Sequence, residues 1–353
     1  FRDADCPFPL PDGLVPGENF KVGYVNVPEL HSDPGGKTIE LAVAIFPSTS
    51  ENHQPDPLVM NTSGPGKSNM DNFIPTIAGG LGAYILPQRD IVIIELRGLR
   101  YSRPFLSLNE VREAKLAIMD KNLGSEETMD ILRKAMQASK NRFEKDGVNL
   151  SAYNNVETAA DIALVMEHLG YEKFSIVGSS AGPMVAHHVI RDYPEHLRCG
   201  VMDAGLPLDQ DILINYVPNV VNSLKNYFEE CRNDPDCDAA FPDLESRFLS
   251  LLDALNENPL MLKLSDPVSG KEYSYALNGY RLSENIFFRM FYSTQLPLLI
   301  SQVLEGDYGW LTDQLQYSLV PNYFADGLGL TVFITESGEY ALSDIKNDPA
   351  YHI

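Results

Sequence analysis

The stretch Gly178-Ser179-Ser180-Ala181-Gly182 constrains this chain more than any other. It follows the apolar run 174–177 (Phe-Ser-Ile-Val) and precedes a segment, 184–190, whose apolar residues recur with helical spacing. A strand, a sharp turn and a helix in that order make a nucleophile elbow, in which glycines flanking the turn let the backbone fold back and lift the serine hydroxyl above the sheet. Ser180 is therefore the candidate nucleophile. A glycine-rich turn carrying a solvated serine is the alternative, and the strand before and helix after it argue against that reading.

The rest of the chain reads as the frame such a turn needs. Segments 20–27 and 38–46 alternate as strands about the turn Asp33-Pro34-Gly35-Gly36, which predicts an antiparallel hairpin. Strands at 57–60 and 90–95 follow, the first running into the glycine-rich loop Thr62-Ser63-Gly64-Pro65-Gly66-Lys67-Ser68. Residues 108–147 are charge-rich with scattered apolar positions, which predicts a helical surface excursion. Helix 157–169 sets Ile162, Val165, Met166 and Leu169 on one face, with Asn155 as its cap. A buried strand is expected at 199–204. The core then alternates β and α, which defines an α/β class built on a mostly parallel sheet. From 206 onward the pattern turns helical (219–230, 244–255, 285–304), interrupted by a hairpin near 259–277 that turns at 266–270. A strand-like stretch at 330–335 follows. The division expected is a core over 1–205, an inserted helical lid over 206–325, and a return to the core over 326–353.

Composition removes several function classes. With 353 residues and 44% hydrophobic content, the chain can bury a full core and carry an insertion. Lys and Arg total 27 against 49 Asp and Glu, a formal charge of −22. That balance argues against nucleic acid or an anionic membrane as partner and favours cationic substrates slightly. No apolar run approaches the roughly 18 residues that suggest a membrane span. Of the four cysteines, Cys231 and Cys237 bracket Arg-Asn-Asp-Pro-Asp, a short turn-forming stretch that closes easily into a disulfide. Zinc would need further ligands at coordinating spacing, so no metal is expected. Cys6 and Cys199 could pair if the fold brings them together; the alternative is that Cys199 is a buried thiol. A local bridge points to an oxidising compartment, periplasmic or secreted.

These motifs together resemble an α/β-hydrolase of the proline iminopeptidase and tripeptidyl aminopeptidase family. The resemblance rests on Gly-Pro-Gly-x-Ser at 64–68, Arg-Gly-x-x-x-Ser-x-Pro at 97–104 and the elbow at Ser180. The Cys231 to Cys237 stretch with the following Phe241-Pro242-Asp243-Leu244, and residues 331–336, resemble its secreted tripeptidyl branch. The chain departs from the family at Ser63 (usually glycine), Glu95 (aspartate), Arg100 (glycine) and Ala181 (often aromatic). The resemblance implies a serine hydrolase that cleaves residues from peptide N-termini through an acyl-enzyme, without a cofactor. The N–H of Ala181, directly after the nucleophile, is one oxyanion donor, and the resemblance supplies Gly64 as the other and Glu336 as the carboxylate that holds the substrate's α-amino group. A carboxylesterase on the same scaffold, or a non-catalytic ligand-binding relative, are the competing readings.

The triad acid and base are not legible. They should follow the lid in the order acid then histidine, and His352 is the sole histidine after it, in a context lacking the expected strand and acid pair. His187, His188 and His196 lie on or just past the elbow helix, where packing or surface roles fit. The expectation is that the catalytic Asp and His lie beyond residue 353, that the sheet's last strands are missing from this chain, and that a C-terminal fragment of the same precursor is a partner.

Overall fold

The structure, a computed structural model, describes residues 1–61, 66–205, 212–290 and 294–318, the side chains of 212–217 and 317–318 excepted. These residues gather into two compact units. One is drawn from 1–108 and 140–212, the other from 109–139 and 213–318. Residues 109–139 of the charge-rich stretch therefore cluster with the helical block, and 140–147 with the sheet unit. Apolar residues scattered through 109–139 explain this: Leu116 and Met119 pack into the helical unit's core.

The first unit holds a seven-stranded sheet of β1 (Arg2–Asp3), β2 (Lys21–Pro28), β3 (Thr38–Phe46), β4 (Leu58–Asn61), β5 (Ile91–Ile94), β6 (Phe174–Ser179) and β7 (Leu197–Asp203), in the order β1-β2-β3-β5-β4-β6-β7. Strands β5, β4, β6 and β7 run parallel, and β2 and β3 form the expected hairpin, paired from Lys21↔Ile45 to Pro28↔Thr38. Period-two alternation sorts the side chains to two cores. Ile39, Leu41 and Val43 of β3 with Val92 and Ile94 of β5 face one side. There they meet Ile162, Val165 and Met166 of α2 (Asn155–His168) and Val185, Ala186 and Val189 of α3 (Gly182–Asp192). Ala42, Ala44, Phe46, Ile91 and Ile93 face the other side, against Met70 and Ile74 of α1 (Asn69–Thr76).

Three expectations shift. The cap of α2 is Asn154, not Asn155: Asn154 is extended (φ −145°) and its side chain accepts the Glu157 N–H at 2.8 Å, while Asn155 is already helical. Strand β7 exists but is exposed along six of its seven residues, because it is the edge of the described sheet. Val201 and Met202 are accordingly 54% and 43% exposed. Cys6 and Cys199 do not pair, and Cys199 is not a buried thiol. Cys199 sits on that exposed edge with its Sγ 3.4 Å from Ser175 Oγ, while Cys6 contacts the Phe8 carbonyl.

The helical unit carries the hairpin of β8 (Leu260–Ser265) and β9 (Glu272–Leu277) among helices Ile212–Asn233, Pro235–Ala240, Leu244–Glu257, Gly279–Met290, Leu296–Leu304 and Gly309–Ser318. The continuous helix expected over 285–304 is two helices, the second opening with Pro297 in its first turn, where a missing N–H costs nothing. Cys231 and Cys237 form a disulfide. Asp234 between them accepts the N–H groups of Asp236 and Cys237, both at 2.9 Å, and so starts the helix that carries Cys237.

Candidate active site

The turn between β6 and α3 has the geometry that its glycines demand. Ser180 stands at its apex, exposed, with φ +57°, a left-handed conformation that costs a non-glycine residue on the order of 1–3 kcal/mol. The turn persists because its neighbours fix it. The Ser180 N–H donates to the Asp203 carbonyl of β7 at 3.0 Å. Ser179 Oγ donates to the Asp203 carboxylate at 3.2 Å. A Cβ at Gly178 would stand 2.6 Å from the Gly182 carbonyl carbon, so no side chain fits beneath the turn. Ala181 caps α3 with helical dihedrals, and Pro183 follows in the first turn. The Ala181 N–H thus belongs to a helix N-terminus, where unpaired donors and the macrodipole favour negative charge.

The glycine-rich loop follows β4 in sequence. Residues 62–65, and with them Gly64, lie outside the described residues, but both arms of the loop are defined. On the incoming arm, buried Asn61 donates from Nδ2 to the Gly182 carbonyl of α3 at 3.3 Å. On the outgoing arm, Ser68 caps α1, accepting the Asp71 N–H at 3.1 Å. Asn69, also buried, reaches Asn61 Oδ1 at 3.4 Å and the Ile94 carbonyl at 2.7 Å. A run of buried amides therefore links the elbow helix, the loop and the end of β5.

The Arg97–Pro104 motif acts as a strap that ties β2, β3 and α2 together. Arg97 is buried and bidentate to Asp161 of α2, through Nε at 2.7 Å and an Nη at 2.6 Å. It also donates to the carbonyls of Glu29 and Ala152 at 2.6 and 2.5 Å. His31 holds the same Asp161 at 2.8 Å. Ser102 ties Glu95 to β3, donating to the Glu95 carbonyl at 2.8 Å and accepting the Ala42 N–H at 3.2 Å. Sequence reasoning did not single out Glu29, Asn61, Asn69 or Asp161. The readable signal was a charged or amide side chain closing or interrupting an apolar run, as at Asn61 and Asp161.

Among the described residues, no histidine or carboxylate hydrogen-bonds the Ser180 hydroxyl. Three histidines are engaged elsewhere: His31 with Asp161, His53 with the Ser50 carbonyl and His168 with the Leu164 carbonyl. His196 stands 3.8 Å from Glu195, and His187 and His188 lie on α3. Burial holds the His188 imidazole below its usual range, with Arg191 adding to the effect. Glu336 and His352 lie outside the described residues. No group of three or more His, Cys, Asp or Glu among the described residues is placed to hold a metal ion. Among the described residues no helix is long and apolar enough to cross a membrane.

A central sheet with four parallel strands, helices on both faces and a serine lifted at the turn after β6 define the class. The chain belongs to the alpha/beta hydrolase fold family, whose profile matches residues 56–318. It is similar to Serine protease Hip1 of Mycobacterium tuberculosis, 24% identical over an aligned length of 299 residues, with 78% of this chain and 54% of that protein covered. It is also similar to the Tripeptidyl aminopeptidase of Streptomyces lividans, 28% identical over 193 residues, 54% of this chain and 36% of that protein. The chain thus spans about half the length, or less, of these curated relatives. A proline iminopeptidase-related protein from Thermus thermophilus matches at a TM-score of 0.34 and 18% identity, covering 67% of this chain and 66% of that one.

Proposed function

We propose that this chain carries the nucleophile of a serine hydrolase that removes residues from the N-terminus of peptides through an acyl-enzyme. The observation that carries this reading is Ser180 held at φ +57° between Gly178 and Gly182, exposed at the start of α3. The similarity to two peptidases supports the acyl substrate class.

The reaction follows from that placement. A general base takes the Ser180 hydroxyl proton as Oγ bonds to the scissile carbonyl carbon. The oxyanion so formed accepts hydrogen bonds from the Ala181 N–H and, on the other side, from the N–H of Gly64. Collapse breaks the C–N bond, with the proton passing to the leaving amine, and water then hydrolyses the ester by the same steps in reverse. Each oxyanion donor contributes on the order of 3 kcal/mol to the transition state. Glu336 is the proposed partner of the substrate's α-ammonium group, by a charge-assisted hydrogen bond. The Cys231–Cys237 disulfide supports a periplasmic or secreted location.

Hydrolysis of an aminoacyl or tripeptidyl anilide, compared with its N-acetylated counterpart and with a short-chain acyl ester, tests the assignment. Turnover of the free-amine anilide, with a loss of at least about tenfold on acetylation, is the expected result; tenfold corresponds to ~1.4 kcal/mol. Turnover confined to the ester makes the protein a carboxylesterase instead.

A further inference from the structure

We propose that Glu95 is a positioning residue for the chemistry at Ser180, holding the outgoing arm of the glycine-rich loop in place through Ser68 and the first turn of α1. This rests on the hydrolase reading above. Glu95 follows the last residue of β5 and is fully buried. Its Oε2 accepts the Ser68 hydroxyl at 3.0 Å and the Met70 N–H at 3.2 Å. Ser68 in turn accepts the Asp71 N–H, so Glu95 governs two of the first donors of α1, one directly and one through Ser68. Its own carbonyl is fixed by Ser102. Glu95 therefore stands on a rigid strand and grips the point where the loop becomes a helix, while Asn61 grips the other arm against α3.

Burial takes the Glu95 carboxyl group out of water, which is costly unless it is hydrogen-bonded, and the Tyr101 N–H of the strap acts on it beside Ser68 and Met70. An apolar side chain of similar volume would leave the Met70 N–H and the Ser68 hydroxyl without this acceptor. What the carboxyl adds is one oxygen, Oε2, that accepts from both Ser68 and Met70. A buried acceptor that fixes residues 68–70, which begin four positions after the proposed oxyanion donor in sequence, fits the requirement that such donors be preorganised.

Three variants test the role in the natural polypeptide. Glu95→Leu keeps the approximate volume and removes the acceptor, Ser68→Ala removes the bridge with little effect on packing, and Glu95→Gln keeps an acceptor oxygen. Two readouts are followed, the rate of fluorophosphonate labelling at Ser180 and amide hydrogen exchange over residues 66–72. Glu95→Leu and Ser68→Ala should each slow labelling at least tenfold and speed exchange in that segment at least tenfold, with exchange in α2 unchanged. Glu95→Gln should stay within about threefold of wild type in both. If Glu95→Leu fails to fold, Ser68→Ala alone decides. Wild-type labelling and exchange in the variants would overturn the role. A wild-type protein that does not label at Ser180 would overturn the hydrolase reading and this role together, whereas altered labelling without altered exchange would overturn this role alone.

Discussion

Ser180 and Glu95 both sit where their chemistry is costly, and both costs trace to the elbow region. Ser180 is forced into left-handed backbone space by the closeness of residues 178 and 182. Glu95 is a carboxyl group buried out of water. Burial pushes its pKa up to about 7 against the opposing hydrogen bonds from the Met70 N–H and Ser68, and the charge of Asp71 adds to the rise. The other ionisable groups of this cluster are Tyr101, whose hydroxyl donates to Asp71 at 2.6 Å, and Arg100, paired with Asp71 at 2.7 Å. The sign of the linkage follows from the raised pKa. Between the unfolded value near 4.5 and the folded value near 7, the native state binds more protons than the unfolded chain. The stability that this proton contributes is complete below about pH 4.5 and is lost as pH rises through 7, a difference on the order of 3 kcal/mol. Glu95→Gln should therefore gain stability relative to wild type as pH rises from 5 to 8.5, which urea unfolding at the two pH values would show. A constant difference between the two proteins would mean that Glu95 is not the group responsible.

At the scale of elements, the legible parts of the fold were those fixed by local pattern. The hairpin β2–β3 could be read because its two strands alternate about a Pro-Gly-Gly turn. The elbow could be read because only glycine fits where residue 178 approaches residue 182. What sequence order could not convey was non-local. The exposure of β7 depends on its place in the sheet, not on its apolar residues, and whether Cys6 and Cys199 meet depends on where two distant segments lie. The ionic hub at Arg97 is the largest such case. It joins the end of β2, the strap, residue 152 and α2, segments up to 133 positions apart in sequence between Pro28 and Asp161. The Arg97 motif was visible, but its partner Asp161 appeared only as a polar residue in an otherwise apolar helix. Arg97→Met should lower the unfolding free energy by ~3–5 kcal/mol, because it leaves the buried Asp161 carboxylate with His31 in place of the bidentate guanidinium. Arg97→Lys should recover little of it, since an ammonium cannot reproduce the bidentate fork and the carbonyl contacts together. Full recovery by lysine, measured by chemical denaturation, would mean that charge alone matters at this position.

For the molecule as a whole, the sequence divides by contact rather than by order, since residues 109–139 join the helical unit although they are flanked by segments of the sheet unit. That unit has its own core, from Leu224 and Phe228 to Leu311 and Leu315, and its own covalent tie at Cys231–Cys237. Closing so short a loop stabilises by about 2 kcal/mol on the chain-entropy account. The double variant Cys231→Ser, Cys237→Ser should therefore speed global-type exchange of the Leu244–Glu257 helix by roughly 30-fold. Replacing the free thiols of Cys6 and Cys199 should leave that helix unaffected, and equal effects of the two pairs would deny the bridge its role. The net charge of −22 suits a substrate that presents a free ammonium group. All of these features matter to function only if Ser180 is the nucleophile. The most direct measurement is mass mapping of the natural polypeptide after reaction with a fluorophosphonate probe. One adduct on Ser180, absent from the Ser180→Ala protein, is the expected result. An adduct on a different serine, or undiminished labelling of the Ser180→Ala protein, would contradict the account.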